Sequence, residues 1–147
     1  MKLILILITS LMLSSCNYEA FNLPVDVLGS DVGIINKDDQ GKNSFIKTNQ
    51  VPYKAGQSYY WRIFFRSNKE LVTYTETITL SSPGVWNENS LIKVSDDLKS
   101  ATVERTLPNK GFLGTVWTVA EGDPKGPVKI EVKLDGKSIK VFNYNIQ

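Results

Sequence analysis

Histidine is absent from this 147-residue chain, and cysteine occurs once. The first absence removes the side chain that most often serves as general base near neutral pH, and with it every Ser–His or Cys–His pair. It also removes the commonest transition-metal ligand, and a single thiol cannot replace it with a thiolate cluster, which argues against zinc or copper. An enzyme built on this chain would have to work with carboxylates, lysine or tyrosine alone. One cysteine cannot close a disulfide within the chain, so the fold must rely on packing. Charge of one sign is lacking too: 17 Lys and Arg stand against 15 Asp and Glu. That near balance is not the basic footprint of a nucleic-acid binder. Apolar runs are short even at the start, where residues 3–8 and 11–13 fall below the about 20 residues that a spanning helix needs.

What is present begins with that opening stretch, MKLILILITSLMLSSC. Lys2 followed by a short apolar segment has the layout of a secretory signal. Leu13-Ser14-Ser15-Cys16 resembles a bacterial lipobox, in which an aliphatic residue and two small ones precede the cysteine that receives lipid. The resemblance implies cleavage before Cys16, a diacylglyceryl thioether on its sulfur and an acylated amine. Each buried methylene adds about 0.8 kcal/mol, and two or more chains give stable anchoring. A membrane is therefore the first expected partner, reached through the lipid on Cys16; no cofactor and no metal is expected. A simple N-terminal anchor, or an ordinary signal peptide with an incidental cysteine, is the alternative. Asn17 stands where Asp would mean inner-membrane retention in a Gram-negative cell, and so points to the outer membrane. In a Gram-positive cell the motif would imply the outer face of the plasma membrane. On this reading residues 1–15 are removed and 16–24 are the lipidated terminus and tether, of which 17–24 reach roughly 26 Å when extended. Residues 25–147 form one domain, and the 132 residues left after cleavage suit a single core.

From residue 25 onward, β-branched and aromatic runs are separated by clusters of Gly, Pro, Asn and Asp. This spacing predicts an all-β, immunoglobulin-like sandwich of about 7–8 mainly antiparallel strands. No stretch sustains a helical apolar period over three turns, although Ser95-Asp96-Asp97-Leu98-Lys99 could form one helical turn capped by Ser95, or a solvated loop. Strands are expected over 32–36, 44–48, 58–66, 71–80, 101–107, 114–120, 128–134 and 138–146. The last two are the clearest: Val128, Ile130, Val132 and Leu134 alternate with Lys129, Glu131 and Lys133, the pattern of a half-buried strand. Asp135-Gly136 then supplies a tight hairpin turn. In 71–80, Glu76 interrupts an apolar face of Val72, Tyr74, Ile78 and Leu80, which suggests a bulge, an edge, or pairing with a nearby cation.

A second resemblance rests on Gly33-Ile34, Val51-Pro52-Tyr53-Lys54-Ala55-Gly56, the aromatic strand after them, and Gly122-Asp123-Pro124-Lys125-Gly126 before the final hairpin. Their order is similar to that in immunoglobulin-like domains of exported bacterial proteins, the DUF3859-like group. It spans residues 31–147 and implies the fold, with more threonines and charges on the strand pairs than that group leads one to expect. These are turn and packing residues, so the resemblance transfers no site.

The sharpest candidate for function is one face of the aromatic strand: Tyr60, Arg62, Phe64 and Arg66. If Tyr59, Trp61, Ile63 and Phe65 fill the core, this row faces outward, and Tyr and Arg are enriched at binding hot spots. Alternatively the strand is covered on both sides, or the arginine stems merely shield the rings. Asp38-Asp39-Gln40-Gly41-Lys42-Asn43 and Asp96-Asp97 are acidic enough to suggest calcium, but the first lacks the ligand spacing of a calcium loop and reads as a polar hairpin or loop. Residues 122–127 lack the spacing of a phosphate loop and read as a turn. Trp86 is expected to cap an exposed loop or plug the end of the sandwich, or else simply to pack at the rim or in the core. The chain thus reads as a non-enzymatic, membrane-anchored envelope lipoprotein. Its sandwich would bind another envelope protein or a glycan, and no nucleic acid. A tethered inhibitor or exclusion factor is the alternative. A histidine-free hydrolase is the third reading, and it requires two carboxylates across a cleft, with Glu76, Glu88, Glu104 and Glu121 available.

Overall fold

The computed structural model describes residues 25–87 and 91–147. Cys16, the expected signal and tether through residue 24, and Glu88 lie outside them. Among the described residues the chain forms ten strands and no helix: β1 (Asp26–Lys37), β2 (Asn43–Lys47), β3 (Gln50–Val51), β4 (Ser58–Arg66), β5 (Leu71–Leu80), β6 (Ile92–Val94), β7 (Ser100–Pro108), β8 (Phe112–Thr118), β9 (Gly126–Leu134) and β10 (Lys137–Ile146). They build a four-stranded sheet, β2-β1-β4-β8, and a six-stranded sheet, β3-β10-β9-β5-β7-β6. All these pairings are antiparallel except that of β3 with the end of β10. The architecture is the all-β, immunoglobulin-like sandwich expected from the alternation.

The differences from expectation have local causes. β3 and β6, of two and three residues, are too short to display a period of two. β1 begins at Asp26 rather than near residue 32, because a bulge at Leu28, between the Val27 and Gly29 pairings with β4, breaks the alternation there. β8 starts at Phe112, earlier than the apolar run suggests. Residues 95–99 form no helical turn; they are the solvated loop of the two readings, closed as a tight β6–β7 connection with residues 96–99 exposed. Ser95 N donates to Ser100 O, Leu98 N donates to Ser95 O, and Leu98 sits at φ 56°. The β9–β10 hairpin turns at Asp135 and Gly136, both left-handed at φ 49° and 79°, as an Asp-Gly turn of this type demands.

The core lies between the sheets and is aromatic at its centre. Trp61 of β4 has no exposed surface; it stacks on Phe142 of β10 at 5.7 Å and meets Tyr74 of β5 edge-on at 6.2 Å. Tyr59 packs edge-on against Tyr144 of β10 at 5.2 Å. The Tyr144 hydroxyl donates across the sandwich to the Tyr60 carbonyl at 2.6 Å. Burial pushes both the Tyr59 and Tyr144 phenols up from the ordinary tyrosine value, so both serve as neutral packing groups.

Glu76 departs from every expectation placed on it. β5 lies inside its sheet, between β9 and β7, and pairs with both through Glu76 without a register shift. The carboxylate is neither at an edge nor on a bulge. No cation pairs with it among the described residues. It points into the core with no exposed surface, and its partners come from the facing sheet: the indole N–H groups of Trp61 and Trp117 both donate to Oε1, at 2.6 and 2.5 Å.

Candidate functional site

The row Tyr60, Arg62, Phe64, Arg66 lies on the side of β4 turned away from the core, and its four members are covered to different extents. Tyr60 is buried, Arg62 half-buried, and Phe64 and Arg66 exposed. Neighbouring strands explain the gradient. Gly33 of β1 lies opposite Tyr60 and has no room for a side chain: a Cβ there would stand 2.2 Å from the Ile46 carbonyl oxygen and 2.7 Å from the Tyr60 ring. Tyr60 therefore lies down over the glycine. Phe45 of β2 closes over it edge-on at 5.5 Å.

Arg62 is held flat in the same way. On one side its guanidinium grips Asp31 of β1 with two bonds, Nε to Oδ1 at 2.9 Å and Nη2 to Oδ2 at 2.7 Å, the bidentate geometry that suits an arginine–carboxylate pair. On the other, its β8 neighbour is Gly114, where a Cβ would come within 3.2 Å of the arginine Cγ. The cation also lies 5.1 Å from the Tyr60 ring centre and 5.9 Å from that of Phe45. Arg62 is thus neutralised by Asp31 and stacked on aromatic rings rather than extended into solvent.

Around this ordered cluster the face carries exposed apolar side chains, with the exposed Arg66 at its end. Phe64 and Phe112 are direct cross-strand partners, exposed by 41% and 52%. Val116 of β8 and Phe45 of β2 are more than half exposed on the same side. Phe45, Phe112 and Val116 were not singled out in the sequence. Phe45 and Phe112 lie in short, weakly patterned strands or at their ends, and only the register shows that they join Phe64.

A second feature lies at the β8 edge of the sandwich. A cleft of about 270 Å³ is walled by Tyr59, Trp86, Trp117 and Leu80, with Asp123 at its margin. Trp86 sits edge-on to Trp117 at 6.3 Å and donates its indole N–H to the Leu98 carbonyl at 2.7 Å. It packs at the rim, as one of the sequence readings had it. Asp123 is committed to structure: its two oxygens accept from the Val85 and Ala120 amides at 3.0 and 2.7 Å. A larger, shallow hollow of about 590 Å³ between residues 35–37 and 54–58 is bounded by backbone and by Lys37 and Lys54.

The carboxylates considered for hydrolysis do not come together among the described residues. Glu76 is inside the core. Glu104 is exposed on the outer side of β7, where the Thr75 hydroxyl donates to it at 3.4 Å, and Glu121 is exposed in the turn after β8. The two acidic stretches form turns: Asp38 Oδ1 accepts from the Gln40 and Lys42 amides, and Asp97 Oδ1 from the Lys99 amide and the Ser95 hydroxyl.

Two facing, mainly antiparallel sheets around one apolar core define an immunoglobulin-like β-sandwich. The chain belongs to the PM0630 beta sandwich domain family, whose model matches residues 30–147. Among solved structures it resembles an immunoglobulin-like protein (PA1606) from Pseudomonas aeruginosa, with a TM-score of 0.60 at 14% identity, over 86% of this chain and 99% of that one. At that identity the likeness shows the fold alone. An alkylpurine DNA glycosylase, AlkC, from Pseudomonas fluorescens overlaps 84% of this chain and 30% of its own length, at 8% identity and a TM-score of 0.48; it carries no argument about activity. No curated protein matches the sequence.

Proposed function

We propose that this protein is a lipid-anchored envelope protein whose β-sandwich is a non-catalytic binding module, and that it engages a protein partner through the outer face of β2-β1-β4-β8. The observation that carries the reading is the opposed, exposed pair Phe64 and Phe112, which adjoins an ordered Phe45–Tyr60–Arg62–Asp31 cluster, with exposed Val116 at that cluster's far end opposite Tyr60. Contiguous exposed aromatics on a small domain mark interaction surfaces, and a rigid aromatic and arginine patch is the composition of a hot spot. The face is apolar at its exposed phenylalanines and its central arginine is neutralised by Asp31, which favours an apolar protein surface over an anionic polymer or a single glycan chain. Support for the anchor is the lipobox-like Leu13-Ser14-Ser15-Cys16, together with a cysteine that has no disulfide partner.

The test uses the full chain expressed in a bacterial envelope. Cys16→Ser is expected to abolish labelling with a lipid precursor and to release the domain from membranes. Phe64→Ser combined with Phe112→Ser is expected to lower Tm but keep a cooperative transition and the native far-UV spectrum, while removing proteins crosslinked to the wild type. Persistence of labelling and membrane retention in Cys16→Ser would sink the anchor. Unchanged crosslinked partners in the double variant, or pull-down of purified glycan that survives it, would sink the face.

A further inference from the structure

Trp61 Nε1–H and Trp117 Nε1–H converge on one oxygen of Glu76, Oε1, while Oε2 is buried with no hydrogen-bond partner. The Thr115 hydroxyl is also buried without one. Thr115 is the β8 partner of Trp61 and lies on the same inward side of the sheet as Trp117. It acts on the carboxyl in the same sense as the two indoles, although it completes no hydrogen bond of good geometry in this arrangement. One hydrogen bond between Oε2 and this hydroxyl satisfies both, made by the threonine proton to a carboxylate or by the carboxyl proton to the hydroxyl. With no cation in contact among the described residues, only the second buries no charge.

We propose that Glu76 is held as a neutral carboxylic acid and forms a proton-dependent clasp between the two sheets, with Oε1 accepting the Trp61 and Trp117 indole N–H groups and Oε2–H donating to the Thr115 hydroxyl. In this form all three buried polar groups of the facing sheet are satisfied without burying a charge. Ionisation leaves a carboxylate in the core with no counter-ion at contact distance, a state whose desolvation is costly. The consequence reaches the surface, because Trp117 also walls the cleft with Trp86. The proton on Glu76 therefore sets how firmly that wall and the β8 edge are held.

The charged and titratable groups facing Glu76 are few. Burial is the largest influence and raises its pKa above the ordinary carboxyl value; the hydrogen bonds of Trp117, Trp61 and Thr115 and the charge of Arg105 on β7 oppose it. Tyr59 of β4 and Tyr144 of β10 sense Glu76 but are themselves raised, so they stay neutral. Asp123, after β8, bears on Tyr59. From β9 the inward residues are Val128, Ile130, Val132 and Leu134, none of which titrates.

Glu76→Gln tests the proposal, because a glutamine presents the same acceptor to the indoles and an N–H donor to Thr115 but has no proton to lose. Urea unfolding of both proteins at a series of pH values gives the ratio of their folding constants, in which all other titrating groups cancel. The folded pKa lies above the unfolded one, so wild-type stability is complete at acid pH and is lost as pH rises through the folded value. The wild-type to variant ratio is expected to fall by up to about tenfold per pH unit across that interval. A ratio that stays flat or rises with pH overturns the proposal. Should the variant not fold, the wild type carries the test: the Glu76 side-chain carboxyl carbon and the Trp61 and Trp117 indole N–H resonances should titrate together, above the ordinary carboxyl value. A carboxyl carbon already ionised at or below that value overturns the clasp.

Discussion

Replacing Glu76 by leucine isolates what the carboxyl does as an acceptor, apart from its proton. Leucine fills nearly the same volume, so the cavity term is small, but it leaves the Trp61 and Trp117 indole N–H groups facing apolar atoms. Each buried donor stranded in this way costs about 1–3 kcal/mol, and two give about 2–6 kcal/mol. A domain of this size has about 5–15 kcal/mol in total, so Glu76→Leu is expected to be severe and near the limit of folding. The assay is urea unfolding followed by far-UV circular dichroism, with a lowered midpoint and an unchanged slope as the expected result. A double-mutant cycle sharpens it. Trp117→Phe removes one donor, so on the Glu76→Leu background it should cost less than it does in the wild type, with a coupling of about 0.5–3 kcal/mol. Glu76→Leu within about 0.5 kcal/mol of the wild type, or zero coupling to Trp117→Phe, would refute the account of Glu76 as the acceptor joining the sheets.

Two further predictions address the face and its attachment to the core. Gly33→Ala places a Cβ 2.2 Å from the Ile46 carbonyl oxygen and 2.7 Å from the Tyr60 ring. Overpacking of this kind costs about 1–3 kcal/mol, so a lowered Tm and an altered near-UV tyrosine signal are expected, and an unchanged Tm would show that β2 can move aside freely. Tyr144→Phe removes the donor to the Tyr60 carbonyl and should cost about 0.5–1.5 kcal/mol in urea unfolding; no loss would mean that the carbonyl is satisfied by another donor.

Much of the fold was legible because it depends on alternation, which is a local property. The β9–β10 hairpin could be read residue by residue, with its faces and its Asp-Gly turn, since both strands bury one side and join through two residues. β4 was equally readable as two faces. What could not be read was which strands flank those faces. Tyr60 is buried and Phe64 exposed on the same side of the same strand, because β1 and β2 deliver Gly33 and Phe45 to one and β8 delivers Phe112 to the other. Glu76 failed for the same reason: a carboxylate in an apolar row signals an edge or a cation when judged from its own strand. The answer lay in two tryptophans that are 15 residues before it and 41 after it. Side chains that satisfy one another across the sandwich leave no spacing signature.

The division of labour on β4 bears on which residues selection could spare. Tyr59, Trp61, Ile63 and Phe65 are enclosed by the opposite sheet, and each removal there opens a cavity costing several kcal/mol, of order 2–5. Tyr60 and Arg62 are fixed by glycines and by Asp31, so they stiffen the outer face without deepening the core. Arg62 is 43% exposed at its side chain, and screening by solvent leaves a pair of this kind worth about 0–1 kcal/mol. Phe64, Phe112 and Val116 are only about half buried, so each adds about 1 kcal/mol to folding, less than a core residue, while leaving apolar area next to water. A stability requirement alone therefore gives only a weak reason for two phenylalanines to oppose one another on that surface. Covering them in a complex gives a stronger one, and it predicts that substitutions at these positions cost more in binding than in folding, whereas those at Tyr59, Trp61, Ile63 and Phe65 cost the fold first.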